Sequence, residues 1–367
     1  MALDHTRDLF HVTAVTQDPV DLQTTNPALF FTRWITHICA PGFVFLSGAS
    51  AYISLRARND FASSRRFLLK RGLWLILLEL TIVNFGIWFD LRFNVFLFQV
   101  IGAIGFSFII LGLLLKLPSN FIGAIGLAII FLHNLFNFIP DGTLKTILAP
   151  LFTSPLIPIN ANTFLLLAYP PIPWLGLMLV GFAFASRIYL TGINRGKLFL
   201  QAAIICLVLF IGLRFLNIYG DPSPWSVQAT GMFTFMSFMN LTKYPPSLLY
   251  DLATLSVIFA LLAAAEKIRQ GRFTGIIEIY GRVPLVYYLV HWYLLHLLMF
   301  VMLFLQGFTT KDFLFGFNFG RPEQPNGLPL WGVYIVWISV VVTLYPLCKW
   351  YNRYKDTHRH NQLLRYL

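Results

Sequence analysis

Apolar stretches of 20 residues or more alternate with short polar links along most of this chain. They lie at about 28–55, 66–90, 93–115, 119–139, 163–186, 197–218, 246–266, 283–306 and 329–351. About 20 apolar residues are needed for a helix to cross the hydrocarbon core of a bilayer. The pattern therefore predicts an all-α transmembrane bundle of about nine spans. Because no repeat and no linker rich in glycine and serine interrupts it, we expect one integral membrane domain over 1–367.

Composition supports a membrane protein. The chain is 57% hydrophobic and 11% charged, and its mean hydropathy is +0.70. Soluble domains carry nearer a quarter charged residues, and a soluble fold this apolar could not cover its own surface. The net charge of +12 would also fit nucleic-acid binding. In a membrane protein it is better explained by basic cytoplasmic loops, so we expect a lipid bilayer and no nucleic acid as partner.

Basic residues alternate between the two sides of the predicted bundle. Most of the 27 lysines and arginines fall in the links that begin at Arg56, Lys116, Arg187 and Lys267, and in a tail at 352–367. The excess of positive charge marks cytoplasmic segments. We therefore expect a multi-pass protein of the inner membrane with a cytoplasmic C-terminus and a basic cytoplasmic tail.

The opening segment MALDHTRDLFH is polar, although the chain after it is not. The alternation of sides puts this segment at the extracytoplasmic boundary. It has the features of neither a signal peptide nor an anchor. We expect residues 1–11 to be the outer end of a first helix whose beginning precedes Met1.

Five ionisable side chains in this segment are candidate site residues. Helical spacing puts Asp4, Arg7, Asp8 and His11 on one face, with His5 beside them. For His5 we favour a function, because Asp4 or Asp8 could orient its ring and raise its basicity. A salt-bridged helix end is an equally good explanation for Arg7 and Asp8.

Further polar candidates lie within the predicted spans. Arg33 and His37 are four residues apart in TRWITHICAPG, so they share a helix face near the outer side. The alternative for His37 is a hydrogen bond to a neighbouring carbonyl group. Gln99, Lys243 and His291 complete the set, and ordinary turn chemistry is the alternative for Lys243. The three cysteines, Cys39, Cys206 and Cys348, fit neither a disulfide framework nor a CxxC metal site, so no metal is expected.

Several longer motifs resemble one protein family. They are MALDHTRDLFH, TRWITHICAPGFVFLSG, LLKRGLWLILLE, FQVIG, YPPIPWLGLM, YGDPSPW, KYPPSLLY and GRVPLVYYLVH. Together they resemble the bacterial branch related to the catalytic region of heparan-alpha-glucosaminide N-acetyltransferase, within a wider group of transmembrane acyltransferases. The resemblance runs from Met1 to about His296. Family members carry a cytoplasmic tail and an Arg-Gly pair before the Asp-His stretch, and this chain lacks that part.

The resemblance implies an activity and a histidine role. It implies transfer of an acetyl group from cytosolic acetyl-CoA to an acceptor on the far side, with acetyl-CoA as a substrate and no tightly bound cofactor. A membrane histidine is implicated in the lysosomal relative. Here His5 is the first choice, and His11 and His37 are the reserves.

Our hypothesis is a membrane acyltransferase that acts on a cell-envelope saccharide or glycan. His5, Asp4 and His37 form the catalytic set, with His5 as general base or acyl carrier. The substrate-binding candidates are Asp8, His11, Arg33, Gln99, Lys243 and His291. A transporter with proline-broken helices remains an alternative, as does an assembly protein whose polar residues only join helices. An oligomer is compatible with either.

Overall fold

A computed structural model describes residues 1–358, 360, 361, 364 and 366. The remaining tail positions, among them Arg359 and Arg365 of the predicted basic tail, lie outside the described residues. Of the described residues, 67% are helical and few lie in strands, which confirms the mostly helical class. The helices are α1 (Ala2–Phe10), α2 (Pro27–Thr36), α3 (Cys39–Arg58), α4 (Phe61–Leu78), α5 (Asn84–Trp88), α6 (Val100–Leu114), α7 (Ser119–Leu132), α8 (Thr143–Phe152), α9 (Pro171–Ile188), α10 (Arg195–Leu216), α11 (Gly231–Met239), α12 (Leu248–Ala265), α13 (Arg272–Arg282), α14 (Pro284–Leu305) and α15 (Leu330–Thr357).

Seven helical segments among the described residues are long and apolar enough to cross a membrane. They are Pro27–Arg58, Ser119–Phe138, Pro171–Ile188, Arg195–Leu216, Leu248–Ala265, Pro284–Leu305 and Leu330–Thr357. The predicted count of about nine is therefore not confirmed. The predicted span at 66–90 is α4 continued through a π-helical segment, Glu79–Val83, into α5. The predicted span at 93–115 contains α6, which has only 15 residues.

The expectation of an entirely helical chain is wrong at three short strands. These are β1 (Val95–Phe98), β2 (Leu156–Asn160) and β3 (Thr163–Leu167), in the order β1–β3–β2. Strands β2 and β3 pair antiparallel. Two of the predicted spans, at 93–115 and 163–186, thus begin in a strand. A short apolar run bounded by turn residues fits a strand as well as a helix, and periodicity alone does not separate the two.

The described chain divides into two units. The first unit comprises Met1–Thr36, Thr81–Val95 and Arg269–Leu367, and the second comprises His37–Leu80 and Phe96–Ile268. The expectation of a single domain stays a prediction.

Helices α3 and α9 of the second unit approach each other through glycines. A Cβ atom added to Gly48 would lie 2.0 Å from the carbonyl oxygen of Met178, and one added to Gly181 would lie 2.0 Å from that of Phe45. Small residues permit such close backbone approach between membrane helices. Gly48 and Gly181 therefore allow the main chains of α3 and α9 to come into contact.

A buried arginine organises the loop after α10. The Arg214 guanidinium donates hydrogen bonds to four main-chain carbonyl oxygens, at 2.9–3.0 Å. They belong to Ser223, Ser237, Phe238 and Asn240. Because only a guanidinium offers this many donors in a fixed plane, Arg214 holds α11 and its flanking loops against the end of α10. The sequence indicated only a basic residue on the outer side.

In the first unit, the end of α1 is joined to a loop near the C-terminal end of the chain. The main-chain nitrogen of Leu328 donates to the carbonyl oxygen of Phe10 at 2.6 Å, and that of Val12 donates to Leu328 at 3.0 Å. The buried Arg321 donates through Nη1 to the carbonyl oxygen of His11 at 2.9 Å. These bonds fix where α1 ends and how it lies on α14 and α15.

Candidate functional site

A network of four charged side chains lies at α1 and α2 of the first unit. Arg7 donates through Nη2 to Asp4 Oδ1 at 3.1 Å and to Asp8 Oδ1 at 2.6 Å, and Arg33 donates through Nη1 to Asp4 Oδ2. The side chains of Arg7 and Asp4 are only 5% and 10% exposed. Charged groups withdrawn from water need such partners, because an uncompensated buried charge is strongly unfavourable. Helical spacing correctly predicted that Asp4, Arg7 and Asp8 lie together on one face of α1.

His5 lies beside this network, with its side chain 16% exposed. Its Nδ1 is 4.0 Å from Asp8 Oδ2. That distance is too long for a hydrogen bond but close enough for the carboxylate to favour a positively charged imidazole. Asp8 is therefore the carboxylate that the structure pairs with His5, whereas Asp4 bridges two arginines.

The other side of the His5 ring faces α14. Its ring centre lies 4.1 Å from that of Trp292, 5.3 Å from that of His291 and 6.3 Å from that of Tyr288. The three α14 residues are spaced as neighbours on one helix face. The sequence indicated His291 as a substrate-binding residue but gave no role to Trp292 or Tyr288. The aromatic residues around the histidine in YYLVHWYLLH were the feature of the sequence that could have indicated these contacts.

The main chain of α14 determines which nitrogen of His291 carries the proton. Nδ1 lies 2.6 Å from the carbonyl oxygen of Tyr288 and 3.1 Å from that of Tyr287. Because a carbonyl oxygen only accepts, Nδ1 is the donor and Nε2 holds a lone pair when the ring is neutral. Nε2 is buried and has no hydrogen-bond partner among the described residues. His291 thus offers an unprotonated nitrogen close to the His5 ring.

The next histidine of α14 has a different environment. His296 Nδ1 lies 3.1 Å from the carbonyl oxygen of Trp292, and its ring stacks on Phe89 at 4.5 Å between centres. The His296 side chain is fully buried. The two histidines share Trp292 as a ring neighbour, but His291 stacks on Tyr287 and His296 stacks on Phe89.

His11 lies at the end of α1, outside the contacts of His5. Its carbonyl oxygen accepts from Arg321, and its Nδ1 lies 3.0 Å from Thr13 Oγ1. Burial, and after it the positive charges of Arg7 and Arg321, lower the pKa of the His11 imidazole. The contacts of His11 hold the end of α1 in place. The substrate-binding role that the sequence suggests for His11 stays a prediction.

Three of the predicted site residues belong to the second unit. The carbonyl oxygen of His37 accepts from the Tyr250 hydroxyl at 2.8 Å, and the two rings meet edge to face at 5.4 Å. Gln99 is the residue before α6, and its carbonyl oxygen accepts from Ala103. Lys243 is buried, and its ammonium lies 5.0 Å from the centre of the Tyr244 ring. The first unit by itself therefore brings together His5, Asp4, Asp8, Arg33 and His291.

The apolar helices and the buried ionisable cluster define a membrane protein with a polar site within its helices. Residues 9–220, more than half of the chain, match the model of the family heparan-alpha-glucosaminide N-acetyltransferase, catalytic. The chain belongs to this family, which confirms the resemblance drawn from its motifs and indicates a transferase of the acetyltransferase type. No curated protein and no solved structure matches the chain.

The matched range covers only part of the candidate site. His11, Arg33, His37 and Gln99 fall inside residues 9–220. His5 lies before that range, and Lys243 and His291 lie after it. The family match therefore supports the class of enzyme, and the pairing of His5 with His291 rests on the geometry of the first unit.

Proposed function

We propose that this chain is a membrane acyltransferase that passes an acetyl or other acyl group from a cytosolic acyl-CoA to a saccharide or glycan on the extracytoplasmic side. The observation that carries the proposal is the contact of His5 with His291, beside Asp8, in a chain of this family. Two imidazoles and a carboxylate are suited to moving protons during acyl transfer. The inner membrane and a cytoplasmic C-terminus are part of the same proposal.

His5 serves either as general base or as acyl carrier. As a base, it takes the proton of the acceptor hydroxyl or amine while that atom attacks the thioester carbonyl, and the C–S bond breaks to release the CoA thiolate, which takes up a proton. As a carrier, an imidazole nitrogen of His5 attacks the thioester carbonyl, and the C–S bond breaks to release the CoA thiolate, which takes up a proton. The acceptor then attacks the acyl carbon, its proton passes to His291 Nε2, and the N–C bond to His5 breaks. In both routes the Asp8 carboxylate favours the cationic form of the His5 imidazole.

Arg33 has a supporting role in this proposal. With Arg7 it surrounds the Asp4 carboxylate, so that the two positive charges lie close to His5. Such fixed positive charge stabilises the negative charge that develops on the carbonyl oxygen during attack. The proposal also includes a substrate-binding role for His37, Gln99 and Lys243.

The test is acyl transfer by the full chain in sealed vesicles supplied with labelled acetyl-CoA and an envelope saccharide. We expect His5→Ala to lower the transfer rate at least about 100-fold, since general acid–base catalysis contributes roughly 10²–10⁴. His360→Ala, at an exposed histidine of the tail, is the matched control and should keep the wild-type rate. Wild-type transfer by His5→Ala would remove His5 from the reaction.

A transporter of a small solute is the second candidate. It is favoured by the π-helical segment Glu79–Val83, whose first residue is a fully buried carboxyl group. Interrupted helices with polar residues at membrane depth are common in secondary transporters. Solute uptake by the vesicles without any acyl transfer would decide for this function.

A further inference from the structure

A cavity of about 410 Å³ opens in the second unit. It lies where the end of α3, the start of α4, the turn between α6 and α7 and one residue of α9 meet. Its size is within the range of small-molecule sites. None of the side chains proposed for acyl transfer lines it.

The charged groups that line the cavity are all positive. Arg56 comes from α3 and Lys116 from the α6–α7 turn, and no carboxylate is among the lining residues. Lys116 has no hydrogen-bond or ion-pair partner among the described residues. Asp60, which lies between two lining residues in the sequence, accepts through Oδ1 from the main chain of Ser63 at 3.1 Å and so caps α4. The side chains that line the cavity therefore carry a net positive charge.

The position of Arg56 leaves most of its guanidinium N–H donors available. Its guanidinium lies 4.9 Å from the centre of the Tyr189 ring. Within the described part of the chain it donates one hydrogen bond, to the carbonyl oxygen of Tyr189, which is long at 3.4 Å. Stacking on an aromatic ring restricts the side chain without using its planar donors. An arginine in this state is prepared to bind an anion with two parallel hydrogen bonds.

Aromatic side chains also line the cavity. Tyr52 and Phe182 meet edge to face at 5.3 Å between ring centres, and both line the cavity. Phe61 lines it as well and is 59% exposed. Aromatic rings beside paired cations fit a ligand that has an anionic end and an apolar or aromatic end.

We propose that this cavity binds an organic phosphate, with Arg56 and Lys116 holding the phosphate group and the aromatic wall holding the rest of the ligand. Two sources have this chemistry, the headgroup of an anionic phospholipid and a soluble nucleotide such as the adenosine phosphate end of CoA. The lipid source is independent of the proposed acyl transfer, because basic pockets between membrane helices bind such headgroups. The nucleotide source rests on the proposed function.

The experiment has one arm for each source, with the purified full chain. Adenosine 3′,5′-bisphosphate is the soluble probe, and its binding is measured by equilibrium dialysis in neutral nanodiscs. Phosphatidylglycerol is the lipid probe, and the amount retained by the protein from mixed micelles is measured by native mass spectrometry. The variants are Arg56→Gln and Lys116→Gln, and both positions are exposed enough to tolerate the change.

Arg66→Gln is the matched control, since Arg66 is an exposed basic residue of α4 that does not line the cavity. We expect each cavity variant to weaken the binding of one of the two probes about tenfold, because one charge-assisted hydrogen bond is lost. The control should change the binding of that probe less than about twofold. The probe that responds identifies the source.

Two results would overturn the proposal. One is binding of both probes that is unchanged in Arg56→Gln and Lys116→Gln. The other is an equal loss in Arg66→Gln, which would mean general attraction to a basic surface. Acyl transfer is assayed separately. Loss of transfer in His5→Ala with normal probe binding leaves the cavity site standing. Probe binding that is unchanged in Arg56→Gln and Lys116→Gln, together with normal transfer by the wild-type chain, overturns the cavity site alone.

Discussion

At the scale of single residues, Asp4 is the group on which the charged network of the first unit depends. Its two oxygens accept from two different arginines. We expect Asp4→Asn to lower the stability of the protein by about 3–5 kcal/mol, since it leaves buried positive charge without compensation. Thermal unfolding in detergent measures the change. The control is Asp141→Asn, which removes an exposed pair with Lys145 and should leave the melting temperature unchanged.

His11 gives a prediction for the pH dependence of stability. Its pKa is lowered in the folded chain, so the unfolded chain takes up the proton first as the pH falls. The contribution of His11 is therefore complete above its ordinary value of about 6.5 and declines as the pH drops below it. We expect the melting temperature to fall between about pH 7 and pH 5, and to fall less in His11→Gln. The same slope in both proteins would contradict this.

Sequence patterns found some of these contacts and missed others for a simple reason. Asp4, Arg7 and Asp8 are neighbours along one helix, so helical spacing predicted their network correctly. The contacts of Asp4 with Arg33 and of His5 with His291 join distant parts of the chain, and no local periodicity encodes them. Arg214 and Arg321 were not among the candidates from the sequence, although the structure buries both.

At the scale of elements, the glycine contact between α3 and α9 can be tested directly. Gly48→Ala would put a methyl group 2.0 Å from the carbonyl oxygen of Met178, so the two helices must move apart. We expect a loss of stability of at least about 1–3 kcal/mol. Gly212→Ala on α10 is the control, because no atom lies within 4 Å of the added carbon, and its melting temperature should not fall. Equal unfolding of the two variants would refute the close approach.

The elements also show where a hydropathy pattern stops being informative. Long apolar runs correctly located α9, α10, α12, α14 and α15. The starts of two predicted spans are β1 and β3, since VFLF and TFLLL satisfy the apolar pattern of a membrane helix and that of a buried strand alike. Tertiary pairing, which the pattern does not contain, decides between the two.

At the scale of the whole molecule, the membrane class followed from composition, and the orientation of the chain is still a prediction. In a background without the three cysteines, Asn59→Cys lies in a predicted cytoplasmic link and Asp141→Cys in a predicted outer loop. We expect a membrane-impermeant thiol reagent to label only Asp141→Cys in intact cells, and both after permeabilisation. Labelling of both variants in intact cells would contradict the predicted alternation.

The division into two units lay beyond the sequence analysis. Each unit is assembled from segments that are far apart in the chain, and the first unit takes its helices from both ends of it. Domain boundaries are recognised in a sequence by the linkers that separate compact segments. A unit built from interleaved segments has no such linker at its boundary.

The bond between Arg321 and His11 has a consequence for how the protein is made. The two residues are separated by 310 positions, so α1 is synthesised long before the guanidinium that binds its end. The same holds for α14, whose aromatic face packs on the His5 ring. Until those segments leave the ribosome and enter the bilayer, α1 must be retained by temporary neighbours, which lipids or insertion machinery can supply. A partly translated chain therefore contains His5 without its surroundings, and the site comes into existence only in the last stage of biosynthesis.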